Sequence, residues 1–318
     1  MIPGQPPDRT LSTQADRREP WFWYTAWRVG RHVRWLRTQG LARLIEEDEL
    51  NPLDRASKRL AKWRWRLAHR SRPPGASAVF LVGLQRSGTN MVVHGLERAP
   101  EFEVFSENHQ AAFDRFRLRP DPVIRRLVDQ CRHPYVLLKP LCDSHRTVEL
   151  LDDLGVRLPA RALWVYRSVD GRARSAVAKF GDANLRALRE LAAGGGWDRW
   201  EAQGLSPESL ALIASFNWTT MSPLSAAALF WYVRNRLYFE LGMVHRPDVM
   251  LVSYDAMVTD PEAEMRRLCA FLGFPFHRRL ITHIAPRQAV DAGPLDIDLR
   301  IRSHCEELAA KLEAARSH

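Results

Sequence analysis

The segment of residues 78–96 constrains this chain more than any other. It opens with five consecutive apolar residues, 78–82, and Gly83 follows them, which predicts a short strand buried on both faces. After Gly88 the apolar side chains recur at the spacing of one helix face. Glycines let the backbone N–H groups of the intervening turn converge, and the start of a helix adds positive potential. The segment therefore predicts a cradle for an anion, most commonly phosphate.

The residues that follow Gly88 indicate which kind of cradle this is. A nucleotide-hydrolysing P-loop reads G-x-x-x-x-G-K-[ST], with lysine on the outer phosphates and a hydroxyl on magnesium. Here Thr89 stands at the lysine position and Asn90 at the hydroxyl position, while the cation of the turn is Arg86. A loop of this composition suits a single 5′-phosphate better than a triphosphate. Taken alone, the turn also fits an ordinary strand–turn–helix corner with incidental glycines.

Length and cysteine usage set the broad class. A chain of 318 residues can hold one large α/β domain with appendages. It contains no apolar run near 18 residues and no signal-peptide pattern, so we expect neither a membrane span nor export. Its four cysteines are far apart and lack C-x-x-C spacing. This predicts buried, reduced thiols and a cytoplasmic protein.

The net charge of +10 is concentrated at the N-terminus, where residues 1–75 contain 16 basic and 8 acidic side chains. Residues 1–19 are predicted to be a disordered tail, and residues 20–75 a basic, aromatic helical appendage. The appendage could lie on an anionic membrane, reach a lipid-linked or acidic glycan substrate, or only pack its tryptophans on the main domain. No nucleic-acid-binding module accompanies the charge, so we predict no nucleic-acid partner.

Two segments downstream offer groups for proton transfer and charge stabilisation. Glu107 and His109 follow a short predicted strand, residues 101–105, whose carboxyl end would face the ligand crevice of a doubly wound sheet. A carboxylate there could deprotonate a hydroxyl, although a solvent-facing loop acid is the alternative. Lys139 ends another buried strand, residues 135–139, and could neutralise charge that develops during transfer. His145 is a weaker candidate for the base.

A third motif begins where the buried strand of residues 162–166 delivers Arg167. Ser175 follows eight residues later, on the first turns of a predicted helix. A guanidinium and a hydroxyl placed in this way can hold one phosphate, although a purely structural arginine is the alternative. The neighbouring cations Arg172, Arg174 and Lys179 are expected to be surface charges. Tyr254 ends the last predicted core strand.

These motifs, in this order, resemble the sulfotransferases that use 3′-phosphoadenosine 5′-phosphosulfate (PAPS) and release 3′-phosphoadenosine 5′-phosphate (PAP). The resemblance covers about residues 78–285 and is nearest to bacterial carbohydrate and glycolipid enzymes. The family's 5′-phosphosulfate loop reads G-x-[PQ]-[RK]-[ST]-G-T, which residues 83–89 match. In cytosolic members a histidine base stands where this chain has Leu141, a departure that favours Glu107.

The resemblance implies a role for each motif. Glu107 matches the family's glutamate base, and Arg86 with Lys139 would stabilise the leaving phosphate. Arg167 and Ser175 would hold the 3′-phosphate, and Tyr254 would lie near the adenine. The residues implied for the 5′-phosphosulfate are Arg86, Ser87, Gly88, Thr89 and Asn90.

The expected fold is a three-layer α/β sandwich with a central, mostly parallel sheet over residues 76–318, including a helical lid around residues 181–222. The expected function is transfer of a sulfuryl group from PAPS to a hydroxyl of a carbohydrate or lipid-linked sugar, without a metal. The expected location is cytoplasmic, with peripheral contact at the inner membrane surface through residues 20–72. Two alternatives stay open: a nucleotide-dependent kinase with an aberrant P-loop, and a non-catalytic PAP-binding or membrane-associated protein.

Overall fold

A computed structural model describes residues 52–285 and 293–317 of the chain. The predicted disordered tail, and the appendage as far as residue 51, lie outside the described residues. The first described element is helix α1, Pro52–Ala68. Arg66 donates from its Nε to Nε2 of His133 at 2.8 Å, which attaches the end of this helix to the main domain.

A five-stranded sheet forms the centre of the domain. Its order is β2-β5-β1-β6-β7, and all four neighbouring pairs run parallel. The strands are β1 (Ser77–Gly83), β2 (Phe102–Phe105), β5 (Tyr135–Leu138), β6 (Arg161–Tyr166) and β7 (Val249–Ser253). Two short strands, β3 (Phe113–Asp114) and β4 (Arg117–Leu118), form a separate antiparallel pair.

Helices connect the strands and cover both faces of the sheet. After α1, the α-helices are α2 (Thr89–Glu97), α3 (Asp121–Gln130), α4 (Thr147–Asp152), α5 (Val169–Phe180), α6 (Ala183–Ala192), α7 (Pro207–Ala214), α8 (Pro223–Glu240), α9 (Tyr254–Thr259), α10 (Pro261–Leu272) and α11 (Leu299–Arg316). Short 3₁₀ turns lie at Leu141–Arg146, Met243–His245 and Arg278–Leu280. Within the described residues, no helix is long and apolar enough to span a membrane.

The side chains of β1 explain why its sequence is an unbroken apolar run. Val79 and Leu81 enter one hydrophobic core, with α2 and α10, whereas Phe80 and Val82 enter a second core, with α8 and α11. Successive residues of a strand point to opposite faces, so a strand covered on both sides must be apolar throughout. The predicted three-layer α/β fold with a parallel sheet is confirmed.

Local sequence signals account for the ends of the helices around this sheet. The Asp260 side chain accepts the N–H of Ala263 at the start of α10, and the helix ends at Gly273 with a φ of 80°. This is the left-handed cap that the glycine predicts. All four cysteines are free thiols, as the sequence indicates. Helices α6 and α7 occupy the segment predicted as a lid, and that role stays a prediction.

The strand order brings separate motifs to one edge of the sheet. Strand β1 lies between β5 and β6, and β2 and β7 flank these. Because all five strands are parallel, the segments that follow them begin at the same edge, where open α/β sheets bind their ligands.

Candidate active site

The turn after β1 is held in a shape that requires its two glycines. Gly83 has a φ of 115°, and a Cβ at this position would lie 2.4 Å from the carbonyl oxygen of Val165. Gly88 has a φ of 91°, and a Cβ there would lie 2.2 Å from Cδ2 of Tyr254. Any side chain would therefore push the turn away from β6 or from the residue that follows β7.

The conformation of the turn also includes an uncommon backbone at its cation. Arg86 has a φ of 70°, in the left-handed region that few non-glycine residues adopt. Such a backbone persists where the surroundings fix it, and it clusters at ligand-binding loops. The Ser144 hydroxyl supports the first part of the turn, since it accepts the N–H of Gly83 at 3.0 Å.

A buried hydroxyl lies at the middle of this turn. Ser87 has no exposed surface, and its Oγ has no hydrogen-bond partner among residues 52–285 and 293–317. Buried hydroxyls are nearly always hydrogen-bonded, and an unpaired one costs about 1–3 kcal/mol. The turn therefore carries a polar group that a bound ligand could satisfy.

The turn after β1 and the helix after β6 meet directly. Arg86 donates from its Nε to the Oγ of Ser175 at 3.0 Å. The guanidinium carbon of Arg167 lies 4.3 Å above the centre of the Tyr254 ring, and the same ring closes against Gly88. The residues predicted to hold two different phosphates are thus neighbours at one edge of the sheet.

Two hydrogen bonds and one close packing contact position the residues that follow β6. The backbone carbonyl of Arg167 accepts the indole N–H of Trp231 at 2.8 Å. The next N–H, that of Ser168, donates to Oδ2 of Asp255 at 2.6 Å. Gly171 gives the Arg167 side chain its space, because a Cβ there would lie 2.7 Å from the Arg167 Nε.

A lysine, a glutamate and an asparagine form a second group at this edge. The Nζ of Lys139 donates to Oδ1 of Asn90 at 2.6 Å and forms an ion pair with Oε2 of Glu107 at 3.1 Å. The side chains of Lys139 and Glu107 are only 8% and 16% exposed. These three residues follow β5, β2 and β1, so the sheet brings together residues that are far apart in sequence.

The two histidines weighed as alternative bases lie in different surroundings. His109 is exposed, and its Nδ1 accepts the N–H of Ala111 at 3.3 Å. His145 lies against Gly204, and its pKa is lowered to about 4, first by burial and then by the charge of Arg234. His145 is therefore neutral at pH 7.

One sequence expectation about this region is wrong. Arg172 is not a surface charge, because only 1% of it is exposed. It donates from Nε to the carbonyl of Gln85 at 3.3 Å, and from Nη1 to the carbonyl of Ala227 at 2.9 Å. Burial lowers its pKa to about 9, with a further contribution from Arg86. Nothing in the sequence around Arg172 indicates that its side chain supports the β1 turn.

Three further residues position the turn and the end of β6 and could not be predicted from the sequence: Ser144, Trp231 and Asp255. Each acts through a backbone partner on another element, and a single sequence carries no signal for such contacts.

Comparison with known proteins decides the family. The sulfotransferase domain family matches residues 76–291, which is most of the chain. The chain belongs to the sulfotransferase domain family. This membership supports an enzyme that transfers sulfuryl groups and acts on a small-molecule acceptor. No curated protein matches the chain.

Several solved structures are similar to this chain at low sequence identity. A sulfotransferase domain from the curacin biosynthetic pathway is 14% identical, with a TM-score of 0.47, over 76% of this chain and 98% of that one. A sulfotransferase from Alicyclobacillus acidocaldarius is 19% identical, with a TM-score of 0.42, over 77% and 97%. A mouse sulfotransferase in complex with PAP is 15% identical, with a TM-score of 0.36, over 68% and 65%.

Proposed function

We propose that this protein transfers a sulfuryl group from PAPS to an acceptor hydroxyl on a carbohydrate or lipid-linked sugar. The observation that carries the proposal is the 3.0 Å hydrogen bond between Arg86 and Ser175. It joins the residues proposed for the 5′-phosphosulfate to those proposed for the 3′-phosphate, so one nucleotide could span both.

The residues of the β1 turn fit the phosphosulfate end of PAPS. The buried Ser87 hydroxyl needs a partner, and the N-terminus of α2 favours an anion. Arg86 supplies the cation, and Gly88, Thr89 and Asn90 begin the helix at the same point. When bound, PAPS supplies the sulfuryl group and a phosphate leaving group.

The other end of the nucleotide would meet the segments that follow β6 and β7. Arg167 can offer a phosphate two parallel N–H donors, and Ser175 adds a hydroxyl. The Tyr254 ring, which lies against the Arg167 guanidinium, would offer a flat face to the adenine. The contact with the Tyr254 ring and the space at Gly171 would position the guanidinium for a phosphate.

The acceptor chemistry would use the pair of Glu107 and Lys139. We assign Glu107 as the base that takes the proton of the acceptor hydroxyl on a carboxylate oxygen. Lys139 lies 3.1 Å from that carboxylate and would stabilise negative charge on the leaving phosphate, together with Arg86. The low exposure of both side chains limits competition from water. Among residues 52–285 and 293–317, neither His109 nor His145 forms a hydrogen bond or an ion pair with Glu107 or Lys139.

A ligand-binding experiment separates this proposal from its alternatives. Thermal unfolding of the full chain would be followed with PAP and with ATP plus magnesium. We expect PAP alone to raise the melting temperature by several degrees, since a ligand at 100 times its Kd stabilises by about 2.7 kcal/mol. A larger shift with ATP and magnesium would favour a kinase. A PAP shift without any release of PAP from PAPS would favour a non-catalytic binder.

Two further proposals concern regions that these contacts do not test. Helices α6 and α7 would form a lid over the acceptor, and the basic residues 20–72 would bring the enzyme to an anionic membrane surface in the cytoplasm. Partial proteolysis with and without PAP would test the lid. Sedimentation with phosphatidylglycerol vesicles would test the membrane attachment.

A further inference from the structure

Helix α1 turns charged side chains toward the protein and large apolar side chains toward solvent. An ordinary surface helix has the reverse arrangement, because its apolar stripe packs on the core while its charged face stays in water. The unusual orientation of α1 follows from contacts on one side of the helix and from exposure on the other.

The inner face of α1 is attached to the domain by polar contacts. The Nζ of Lys62 lies 3.7 Å from Oε2 of Glu103, and Nη2 of Arg66 lies 3.3 Å from the same oxygen. Arg66 also donates from Nε to Nε2 of His133, which is only 1% exposed. The ring of Trp65 stacks on the His133 ring at 5.2 Å. These contacts place α1 beside β2, the edge strand of the sheet.

The outer face of α1 carries a row of apolar side chains, Leu60, Trp63 and Leu67, which we call the outer stripe. Leu60 and Trp63 are 54% and 57% exposed, and Leu67 is half-buried. Spacings of three and four residues put the three on one side of the helix, away from Lys62 and Trp65. Single exposed apolar residues are common, but neighbouring large ones mark a contact surface.

Cations border the outer stripe. Arg64 and Arg70 are exposed, and neither forms a hydrogen bond or an ion pair among residues 52–285 and 293–317. The segment of residues 60–72 contains five basic and no acidic side chains. The surface that covers the stripe must therefore offer both apolar depth and negative charge.

Charge complementarity distinguishes the surfaces that could cover the outer stripe. A second copy of α1 would bring the same cations together. The aromatic segment of residues 21–44 has five arginines and no acid, so it would also be repelled. An anionic bilayer supplies negative headgroups above an apolar interior, and tryptophan suits the boundary between them.

We infer that the outer stripe of α1 inserts into the interface of an anionic lipid bilayer, with Arg64 and Arg70 at its phosphate headgroups. This inference rests on the membrane attachment proposed above, and it adds that an apolar stripe inserts, instead of basic charge alone making the contact. Lys62 and Arg66 hold α1 on Glu103. The bilayer would thus bind a helix that is fixed to the strand before the proposed base.

The test is sedimentation of the full chain with phosphatidylcholine vesicles that contain or lack phosphatidylglycerol. We expect binding only to the vesicles with phosphatidylglycerol, and part of it should survive about 0.5 M salt, which screens charge attraction. Trp63→Gln should weaken binding at least tenfold, because it removes the largest apolar side chain of the outer stripe. Arg64→Gln should weaken binding about fivefold at low salt, as expected for one cation at an anionic surface.

Trp197→Gln is the matched control, since Trp197 is 54% exposed but lies in the loop after α6. Its vesicle binding should stay within about twofold of the unmodified value, and the melting temperature of Trp63→Gln should not change. Undiminished vesicle binding by Trp63→Gln would overturn the inference. A lower melting temperature or a lost dimer in that variant would then identify residues 1–51 or a second copy as the cover.

Failure of the inference can be told apart from failure of the proposed function. If the unmodified protein binds no vesicles, the membrane attachment itself is wrong, and the inference is wrong with it. If it binds vesicles and Trp63→Gln binds equally well, only the role of the outer stripe is wrong. The PAP shift is measured without vesicles and tests sulfuryl transfer separately.

Discussion

Replacing Glu107 with glutamine removes the charge of the proposed base and keeps its size. Glu107 faces the Nζ of Lys139 at 3.1 Å, and the glutamine oxygen can still accept a hydrogen bond from that amine. Lys139 also keeps its 2.6 Å bond to Asn90. Because these contacts persist, we expect the unfolding free energy to change by less than about 2 kcal/mol.

The expected effect on catalysis is much larger than the effect on folding. A positioned general base contributes about 10²- to 10⁴-fold to a rate. Its loss therefore raises the barrier by about 3–5 kcal/mol, at roughly 1.4 kcal/mol for each factor of ten. PAP affinity should stay unchanged, because Glu107 is not among the residues proposed to hold the nucleotide.

The assay is release of PAP from PAPS, with p-nitrophenyl β-D-glucuronide or glucoside as acceptor, whichever the unmodified protein uses. The matched control is Glu103→Gln, in the strand β2 that Glu107 follows. Glu103 is also ion-paired, to Lys62 and Arg66, but at the opposite end of β2 from the site. We expect kcat to fall at least 100-fold in Glu107→Gln and less than threefold in Glu103→Gln. A kcat within threefold of the unmodified value in Glu107→Gln would refute the assignment of the base.

Three further predictions concern the supports of the site. Gly88→Ala should abolish PAP binding, measured by calorimetry, because its Cβ would lie 2.2 Å from the Tyr254 ring. Arg172→Met should weaken PAP binding about tenfold, since it removes the donor to the Gln85 carbonyl and a nearby positive charge. His145→Gln should make the unfolding free energy less sensitive to acid, by up to about 3 kcal/mol between pH 7 and 4.

The sign of the His145 effect follows from its lowered pKa. With a pKa of about 4 in the folded protein and an ordinary value near 6.5 in the unfolded chain, the unfolded chain binds the proton first as the pH falls. Stability is therefore lost between about pH 6.5 and 4, and urea unfolding at both ends of this range measures it. If the unfolding free energy of His145→Gln depends on pH in the same way as that of the unmodified protein, this reasoning is contradicted. PAP binding by Gly88→Ala would contradict the prediction for Gly88, and undiminished PAP affinity in Arg172→Met would contradict the prediction for Arg172.

Much of the fold could be predicted from local patterns. The apolar run of residues 78–82 predicts a strand buried on both faces, which is β1, and the apolar spacing after Gly88 predicts the helix that is α2. The sequence also predicts that the motifs lie at one edge of the sheet, because each follows a strand and the strands are parallel. The roles assigned to the site residues remain predictions, although the structure brings Arg86 and Ser175 together.

What could not be predicted depends on contacts between distant elements. Arg172 is expected at the surface from the sequence and Arg234 has no predicted role, yet both side chains are buried, in α5 and α8. Helix α8 is buried on nearly every side, so its sequence is not divided into a polar and an apolar face. The sequence alone therefore does not indicate that Arg234 lies inside the protein. The left-handed backbone of Arg86 does not follow from its residue type, since few non-glycine residues adopt it, and Arg172 from α5 holds the adjacent Gln85 carbonyl.

The most direct test of the central claim is calorimetric binding of PAP and of its isomer ADP. The two nucleotides have the same composition and differ only in where the second phosphate is attached. If one nucleotide joins the Arg86 turn to Arg167 and Ser175, PAP should bind about 100-fold more tightly, since charged hydrogen bonds contribute about 1.5–3 kcal/mol each. Arg167→Gln should remove most of that preference. Equal affinity for PAP and ADP in the unmodified protein would contradict the account.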